Sequence, residues 1–327
     1  MQVNSPQHGK KVAILGTGGT IAGRSGTPGD NVGYVAGQVG ITELLQGIPG
    51  LAGATDIIGE QVSQVDSKDM SFSVWASLAK RVSHFLGRDD VQGVVITHGT
   101  DTLEETAFFL QALLDPAKPV VLTCSMRPAT ALFPDGPQNL LDAVSVARHT
   151  GARGVVAVCA GAIHGAADVQ KIHSYRLDAF SSGDAGPVGY VEEGVPRLLR
   201  NWPETQHPWA AAAIEKIADM AVAGTWPKVE IVMNYAGASG AAVGALLATG
   251  VDGLVVAGTG NGTLHTDLEA ALLAARAAGV RVMRSTRCAM GHVIVRPDDP
   301  LDDAKGLTPV KARVALILRL LRAKVGH

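Results

Sequence analysis

The residues Lys11 to Gly23, KVAILGTGGTIAG, decide the fold that the sequence predicts. The apolar run Val12–Leu15 is typical of a buried strand, and a turn of three glycines and two threonines, Gly16–Thr20, follows it directly. Glycine permits positive φ angles and the close approach of another segment. Open α/β sheets bind their ligands at the carboxyl ends of their strands. Thr20 is therefore either a nucleophile presented at such an end or a cap for the residues that follow.

The glycine-rich turn has more than one interpretation by itself. A dinucleotide or phosphate loop fits poorly, because Gly16–Ile21 lacks the final glycine of the G-x-G-x-x-G pattern and the lysine of a Walker loop. A simple strand-to-loop turn with hydroxyl caps is an equally good interpretation of these residues alone. The choice depends on the rest of the chain.

The composition of the 327 residues is that of a folded α/β protein. Apolar residues make up 46% and charged residues 18%, which favours a large core and argues against disorder. The net charge is −2 with no basic block, so neither nucleic acid nor an acidic membrane surface is predicted as a partner. No apolar run long enough for a membrane span is present. The polar start, MQVNSPQHGKK, predicts a cytoplasmic protein, although a periplasmic or secreted protein whose signal has been removed would look similar.

The three cysteines, Cys124, Cys159 and Cys288, are far apart in the sequence and have no C-x-x-C spacing. We expect buried or strand-end thiols. Neither a disulfide framework nor a zinc site is predicted from this spacing.

Strand-like runs alternate with helix-length segments along the chain. Most runs are continuous Val, Ile and Leu, as in a mainly parallel sheet that is covered on both faces. This alternation predicts an α/β protein with a doubly wound sheet. The predicted strands are Val12–Leu15, Gly93–Thr97, Pro119–Thr123, Gly154–Cys159, Val229–Met233, Gly253–Ala257 and Val280–Arg284. The predicted helices are Asp69–Leu86, Leu103–Leu114, Gln138–His149, Gly240–Ala248, Leu264–Ala278 and Thr308–Lys324, the last with Pro309 in its first turn.

A composition shift divides the chain into two predicted domains. Prolines stand at positions 196, 203, 208 and 227, around an alanine-rich stretch, Ala210–Ala223, that has the pattern of a helix. We predict a larger N-terminal domain over residues 1–200, a connection over 201–224 and a smaller C-terminal α/β domain over 225–327.

The segment from Arg24 to Gly40 has five glycines and almost no periodicity. It is interpreted either as a mobile lid that carries Tyr34 or as a plain surface loop. Composition alone favours the plain loop.

A second strand runs into a second hydroxyl-bearing turn within Val94–Thr106, VVITHGTDTLEET. Thr102 and Glu105 have the spacing of a capping box, which leaves Thr100 and Asp101 without a structural task. If the two strands are neighbours, the two turns meet at one edge of the sheet. They would then offer a threonine nucleophile, backbone N–H donors for an oxyanion and a carboxylate for a substrate amino group. Because a threonine hydroxyl is a weak nucleophile, a base or cation such as lysine is needed nearby.

Two of these stretches, Thr17–Gly23 (TGGTIAG) and Ile96–Thr102 (ITHGTDT), resemble the two signatures of the bacterial asparaginase/glutaminase family, in the same order and at the same spacing. The resemblance extends over residues 11 to 322. Further matching segments are Gly59–Val62, Asp66–Met70, Ser125–Pro128, Asp135–Pro137, Asp168–Lys171, Gly260–Gly262 and Lys311–Arg313.

This resemblance implies an L-asparaginase, which hydrolyses the side-chain amide of L-asparagine to L-aspartate and ammonia through an acyl-enzyme. Thr20 is implied as the nucleophile, with Tyr34 of the lid bonded to its hydroxyl. Thr100, Asp101 and Lys171 are implied as a second group: Lys171 polarises Thr100, and Asp101 binds the substrate α-amino group. The resemblance implies no metal ion and no organic cofactor.

Substrate-binding residues are likewise implied by the resemblance. Ser67 and Lys68 would hold the α-carboxylate, and Ser125 would lie beside the leaving amide. The family commonly has Gln or Glu where this chain has Lys68, and a cation there is expected to change affinity or pH dependence. The full substrate-binding set is Gly19, Ser67, Lys68, Thr100, Asp101 and Ser125.

Without the family motifs, three residues in the matching segments have simpler structural interpretations. Ser67 is then a turn hydroxyl, and Lys171 is a surface lysine, which is the commonest place for a lysine. His98 is expected to be a turn or core histidine that bonds locally, because the reaction has no required step for an imidazole.

A homotetramer, built as a dimer of dimers with sites at subunit interfaces, is also implied by the resemblance. Two positions depart from the family pattern. Thr263 follows G-N-G where the family has Asn or Ser, and Pro300 stands where a Glu precedes the Asp302–Asp303 pair. With Asp298 or Asp299 close to that slot, the candidate cross-subunit residues are Thr263 and Asp299.

Two further functions stay open. One is a glutaminase-asparaginase that acts on both amides, and the other is a non-catalytic amino-acid sensor that keeps the pocket. A tRNA-dependent amidotransferase subunit is disfavoured because the charge is not basic, and a nicotinamide-dependent dehydrogenase is disfavoured by the missing glycine.

Overall fold

The computed structural model describes residues 9–27, 29–204 and 209–325, and the chain divides into two compact units, Met1–Ala218 and Asp219–His327. The helices in these residues, α1 to α8, are Ile41–Gln46, Phe72–Leu86, Leu103–Leu114, Gly136–Arg148, Ala211–Val222, Ala241–Ala248, Thr266–Ala277 and Pro309–Val325. The strands, β1 to β14, are Lys11–Gly18, Ile57–Val65, Val91–Thr97, Val120–Thr123, Val155–Cys159, Ala162–Gly165, Gln170–Lys171, Phe180–Ser181, Gly189–Glu192, Val195–Leu198, Val229–Met233, Gly253–Gly258, Arg281–Thr286 and Asp302–Asp303.

An eight-stranded sheet forms the centre of the first unit, in the order β10-β9-β6-β5-β4-β3-β1-β2. Strands β1 to β5 are parallel, whereas β6, β9 and β10 extend the sheet with antiparallel pairs. A two-stranded antiparallel ribbon, β7–β8, stands apart from this sheet. The predicted large, mainly parallel sheet is confirmed.

The central strands are buried on both faces, as their continuous apolar runs predicted. On one face, Val12, Ile14 and Val95 form a cluster with Leu140 of α4 and with residues of α1. Alternate residues such as Leu15 point to the other face, where α2 and α3 pack, and they are equally buried. Full burial of each such side chain is worth about 1.5–3 kcal/mol.

The second unit is built on a parallel sheet in the order β11-β12-β13-β14. Val232, Leu254 and Val256 of this sheet cluster with Leu268 and Leu272 of α7, while α8 contacts β11, β12 and β13. This unit is the smaller α/β domain that the alternating pattern predicted. Helix α8 begins at proline 309, as expected from its fixed φ and its missing N–H.

Several elements were not predicted, and each lacks a local signal. Strand β2 is an edge strand without a fully buried residue, so it has no continuous apolar run. Helix α1 has six residues, too few to establish a helical period. The predicted first turn is also partly wrong, because β1 continues to Gly18: Gly16 pairs with both Gln61 and Thr97.

The division between the two units falls inside α5, after Ala218. Residues 1–8, which contain most of the polar start, and residues 205–208, which contain proline 208 of the connection, lie outside the described residues. The domain limits at residues 200 and 225 stay predictions. None of the helices in the described part of the chain has the length and apolar character that a membrane crossing requires.

Candidate active site

The two hydroxyl-bearing turns lie side by side, because β1 and β3 are neighbouring parallel strands. The Thr17 hydroxyl donates to the carbonyl oxygen of Thr97 at 2.8 Å and ties the two strand ends together. Beyond them, Gly19 packs directly on Gly99: a Cβ built on Gly19 would lie 2.4 Å from Gly99 Cα. Gly19 also has φ = 80°, which favours glycine. The meeting of the two turns, predicted from the sequence, is thus a backbone-to-backbone contact.

Thr20 is buried at the start of a short 3₁₀ turn, Thr20–Ala22. Its Oγ1 forms a hydrogen bond of 2.7 Å with the phenolic oxygen of Tyr34. A backbone bridge between Arg24 and Val35 closes the base of the intervening segment. Apart from this bridge, the described residues between 24 and 40 form no helix or strand. The structure therefore brings the predicted tyrosine, which lies on this irregular loop, into contact with the predicted threonine.

Lys171 brings a cation to the second turn from a distant part of the sequence. Its Nζ lies 2.8 Å from Thr100 Oγ1 and 2.6 Å from Asp101 Oδ1. Thr100 is buried, and the Lys171 side chain is 17% exposed. The lysine nitrogen thus donates to both the threonine hydroxyl and the carboxylate.

Ser67 supports this second turn from beneath. Its buried Oγ accepts a hydrogen bond from the backbone N–H of Asp101 at 3.2 Å, and a Cβ on Gly99 would lie only 2.4 Å from that oxygen. The Thr102 hydroxyl donates to the Ser67 carbonyl at 2.8 Å. The predicted capping box is therefore wrong: Thr102 precedes α3, but its side chain makes no capping bond with that helix.

The other two predicted binding side chains have different surroundings. Lys68 is exposed, and hydrogen bonds from its Nζ to Asp69 and Asp66 raise its pKa. Ser125 is buried just after β4, and its hydroxyl donates to the carbonyl oxygen of Arg127 at 2.7 Å. The structure thus places a partnered cation beside Ser67 and a buried hydroxyl at the end of a neighbouring strand.

Comparison with known proteins identifies the family of this fold and site. Residues 11–204 match the family model "Asparaginase, N-terminal", and residues 228–325 match "Glutaminase/Asparaginase C-terminal domain". This chain belongs to the asparaginase/glutaminase family. The predicted resemblance is confirmed over nearly the whole chain.

Among its relatives in the family, "L-asparaginase 2" of Escherichia coli (strain K12) is 38% identical over 96% of this chain and 89% of the relative. "Glutaminase-asparaginase" of Pseudomonas fluorescens biotype A is 37% identical over 96% and 87%. The crystal structure of "Probable Cytoplasmic L-asparaginase from Campylobacter jejuni" superposes with a TM-score of 0.86 at 39% identity, covering 95% of both chains.

In this asparaginase-family chain, the two candidate cross-subunit residues, Thr263 and Asp299, line one cavity of about 350 Å³ in the second unit. Asp299 is largely buried in an ion pair with Arg284. The Thr263 hydroxyl donates to the carbonyl oxygen of Thr259 at 3.0 Å. Asp298 lines the same cavity. The negative charge of Asp299 is thus already paired within its own unit.

His98 is a core histidine that bonds locally, as predicted for a residue without a catalytic step. Its Nδ1 lies 2.7 Å from the Gly99 carbonyl, and its Nε2 lies 2.9 Å from Thr106 Oγ1. Because a carbonyl oxygen only accepts, Nδ1 carries the proton. Burial lowers the pKa of His98 to about 4, so the ring is neutral at pH 7.

Cys124 and Cys159 were predicted as buried or strand-end thiols, and both are buried at the ends of the adjacent strands β4 and β5. Their sulfur atoms lie 3.1 Å apart, a contact that sequence spacing did not indicate. Cys288 differs, because it is exposed. Within the described residues, no group of three or more His, Cys, Asp or Glu side chains is arranged to hold a metal ion.

One further polar contact at the site was not predicted. The buried carboxylate of Glu104 accepts a hydrogen bond from the backbone N–H of Lys171 at 3.2 Å. The two residues are 67 positions apart, and the sequence has no local pattern that links a helix start to a two-residue strand.

Proposed function

We propose that this protein is an L-asparaginase that hydrolyses the side-chain amide of L-asparagine to L-aspartate and ammonia. The observation that carries the proposal is the pairing of two partnered threonines: Thr20 with Tyr34, and Thr100 with Lys171 and Asp101, at the ends of neighbouring strands. The names of the relatives from Escherichia coli and Campylobacter jejuni support this choice of reaction.

In the proposed mechanism, Thr20 Oγ1 attacks the amide carbon of the substrate. The new C–O bond forms an ester, the C–N bond breaks, and ammonia leaves with the proton that the hydroxyl gave up. Water then attacks the ester carbon, releases aspartate and restores the hydroxyl. Tyr34, whose phenolic oxygen lies 2.7 Å from Thr20 Oγ1, is proposed to orient this hydroxyl and to pass on its proton.

The second group binds the substrate and assists both steps. Asp101 is 53% exposed at its side chain, so its carboxylate is accessible to the α-amino group of the substrate. Lys171 polarises Thr100, which assists the attacking group or water. Ser67, with Lys68, is proposed to hold the α-carboxylate, and backbone N–H groups of the two turns are proposed to stabilise the oxyanion. Ser125 is proposed to lie beside the leaving amide.

Mixed specificity is a second candidate, and the relative from Pseudomonas fluorescens favours it, because that protein is named a glutaminase-asparaginase. The two reactions need the same chemistry and differ by one methylene group in the substrate. A single methylene is worth only about 1–3 kcal/mol of discrimination. Competition kinetics with both amides therefore decides between the two specificities.

We also propose a homotetramer, arranged as a dimer of dimers in which Thr263 and a carboxylate near Pro300 reach the site of a neighbouring subunit. Asp298 is the better candidate for this carboxylate, since Asp299 is paired with Arg284. Light scattering on the protein as it elutes from a size-exclusion column measures the number of subunits.

A cytoplasmic location is the proposed compartment, in keeping with the named neighbour from Campylobacter jejuni, whereas a relative from Haemophilus influenzae is named periplasmic. Cell fractionation tests it.

The decisive experiment is ammonia release from L-asparagine and L-glutamine by the wild type and by Thr20→Ala. Loss of the nucleophile should lower kcat by at least about 10³-fold. Thr27→Ala, at an exposed threonine of the irregular segment that follows the 3₁₀ turn, is the matched control and should behave as wild type. Near-normal turnover by Thr20→Ala would remove it as the nucleophile, and calorimetric binding of asparagine without ammonia release by the wild type would favour a sensor.

A further inference from the structure

The carboxylate of Glu104 lies behind the proposed active site, in the first turn of α3. It is 8% exposed, and its Oε1 accepts the hydrogen bond from the Lys171 backbone N–H. A carboxylate in the first turn of a helix is favoured by the helix dipole, so this position suits a fixed anion. Glu104 therefore offers a rigid acceptor at the backbone of the proposed catalytic lysine.

Lys171 has few other constraints on its backbone. Its strand, β7, has two residues and, among the residues that the structure describes, pairs only with β8, outside the eight-stranded sheet. The N–H of Ile172 donates to the Ala179 carbonyl at 2.8 Å, which belongs to the same small ribbon. Within the described residues, the hydrogen bond to Glu104 links the Lys171 backbone directly to the helix that follows the catalytic turn.

One short segment thus holds the lysine at both of its ends. Thr100 and Asp101 contact Nζ, and Glu104 contacts the backbone nitrogen of the same residue. Because the three acceptors lie within five consecutive residues, the distance from the lysine backbone to its ammonium group is fixed against one local frame. A shift of about 1 Å in the lysine would take Nζ out of hydrogen-bonding range of Thr100.

We propose that Glu104 is a positioning residue for the amidase reaction: through its bond to the Lys171 N–H, it sets the lysine so that Nζ meets Thr100 and Asp101. This inference rests on the proposed function. It assigns Glu104 no contact with substrate. The oxygen acceptor is the feature that matters, so glutamine, which keeps an acceptor oxygen of the same reach, should replace glutamate and alanine should not.

Kinetics on L-asparagine tests this with three variants. Glu104→Ala should lower kcat by about 10-fold or more, since a misplacement of about 1 Å can cost up to about 10²-fold, and KM should stay within about twofold because the proposed binding groups are intact. Glu104→Gln should keep at least about half of the wild-type kcat. Glu105→Ala, the adjacent glutamate of the same turn, is the matched control and should match wild type. Wild-type kcat in Glu104→Ala, or an equal loss in both Glu104 variants, would overturn the proposal.

Amide hydrogen exchange tests the contact independently of activity. In Glu104→Ala, the Lys171 amide should exchange at least about tenfold faster than in wild type, whereas the Ile172 amide should keep its protection. Equal acceleration of both amides would mean that the ribbon has unfolded, which overturns a positioning role. If the wild type released no ammonia from either amide, the proposed function would fail, while the exchange result would still decide the contact.

Discussion

Gly19 and Gly99 are in backbone contact, with no room for a side chain between the two turns that carry Thr20 and Thr100. A Cβ on Gly99 would lie 2.4 Å from Ser67 Oγ and 3.2 Å from Gly19 Cα. The relative position of the two threonines is therefore determined by two residues without side chains.

Alanine at either glycine should separate the turns. We expect Gly19→Ala and Gly99→Ala each to destabilise the fold by about 1–3 kcal/mol through overpacking. The folded fraction should also lose most of its ammonia release. Urea unfolding and kinetics measure the two effects. Gly26→Ala is the control, because a Cβ there meets no atom within 4 Å. Full activity in Gly99→Ala would show that the turns tolerate separation.

Removal of the Tyr34 hydroxyl should affect the chemical step. Tyr34→Phe keeps the ring and loses the 2.7 Å hydrogen bond to Thr20, so we expect kcat to fall by about 10²-fold with a smaller change in KM. Steady-state ammonia release measures both constants. Tyr190→Phe, at a partly exposed tyrosine of β9, should leave them unchanged. A rise in KM alone would instead assign the tyrosine to substrate binding.

The second group should be needed as a unit. Thr100→Val and Lys171→Met each remove one partner of the 2.8 Å contact, and each should lower kcat by about 10²–10⁴-fold. The double variant should be little worse than either single variant, because both break the same interaction. Lys324→Met, at an exposed lysine near the end of α8, controls for loss of charge. Additive losses would argue for separate roles.

His98 predicts a loss of stability in acid. Its pKa is lowered from 6.5 to about 4 by burial, so the unfolded chain binds the proton more readily than the folded one. The stability from this group is complete above pH 6.5 and falls as the pH drops towards about 4, by about 3 kcal/mol in all. Urea unfolding of wild type and His98→Gln from pH 7.5 to 4 should show a shallower decline in the variant. Parallel declines would contradict this assignment.

Cysteine reactivity should follow burial. The hydrogen bond with Cys159 and burial raise the pKa of Cys124, which disfavours its reactive thiolate, whereas Cys288 is exposed. A thiol reagent should therefore modify one cysteine rapidly in the folded protein and the other two only on unfolding. Mass spectrometry locates the label, and Cys288→Ser should abolish the fast phase. A fast phase that persists in this variant would place the reactive thiol elsewhere.

The sheet was predictable where the signal is local. Continuous apolar runs indicated the central strands, and the limits of α3 match the prediction at both ends. Strand β2 was missed because one of its sides has no neighbouring strand, which leaves it half-buried and without an apolar run. The Thr102–Glu105 spacing gave a wrong prediction of a capping box, because the Thr102 hydroxyl donates instead to a tertiary partner, the Ser67 carbonyl oxygen.

The site was predictable only in part from physical reasoning on the sequence. The sequence indicated that the turns carrying Thr20 and Thr100 would meet if their strands were neighbours, and the pairing of β1 with β3 fulfils that condition. Composition placed Tyr34 only on a glycine-rich segment. The family resemblance supplied Lys171 and the pairing of Tyr34 with Thr20, because contacts across 71 and 14 residues leave no periodic pattern in the sequence. For the same reason, the sequence did not indicate the hydrogen bond between Glu104 and Lys171 or the contact between Cys124 and Cys159.

The threonines and the lysine of the proposed site belong to parts of the fold that differ in how tightly they are packed. Thr20 and Thr100 follow strands whose residues are buried on both faces, so neither threonine can move without disturbing the core. Lys171, in contrast, lies in a ribbon of two short strands outside the eight-stranded sheet. The position of the ammonium group therefore depends on this small ribbon, and substitutions in β7–β8 offer a way to move it without altering the strands that carry the two threonines.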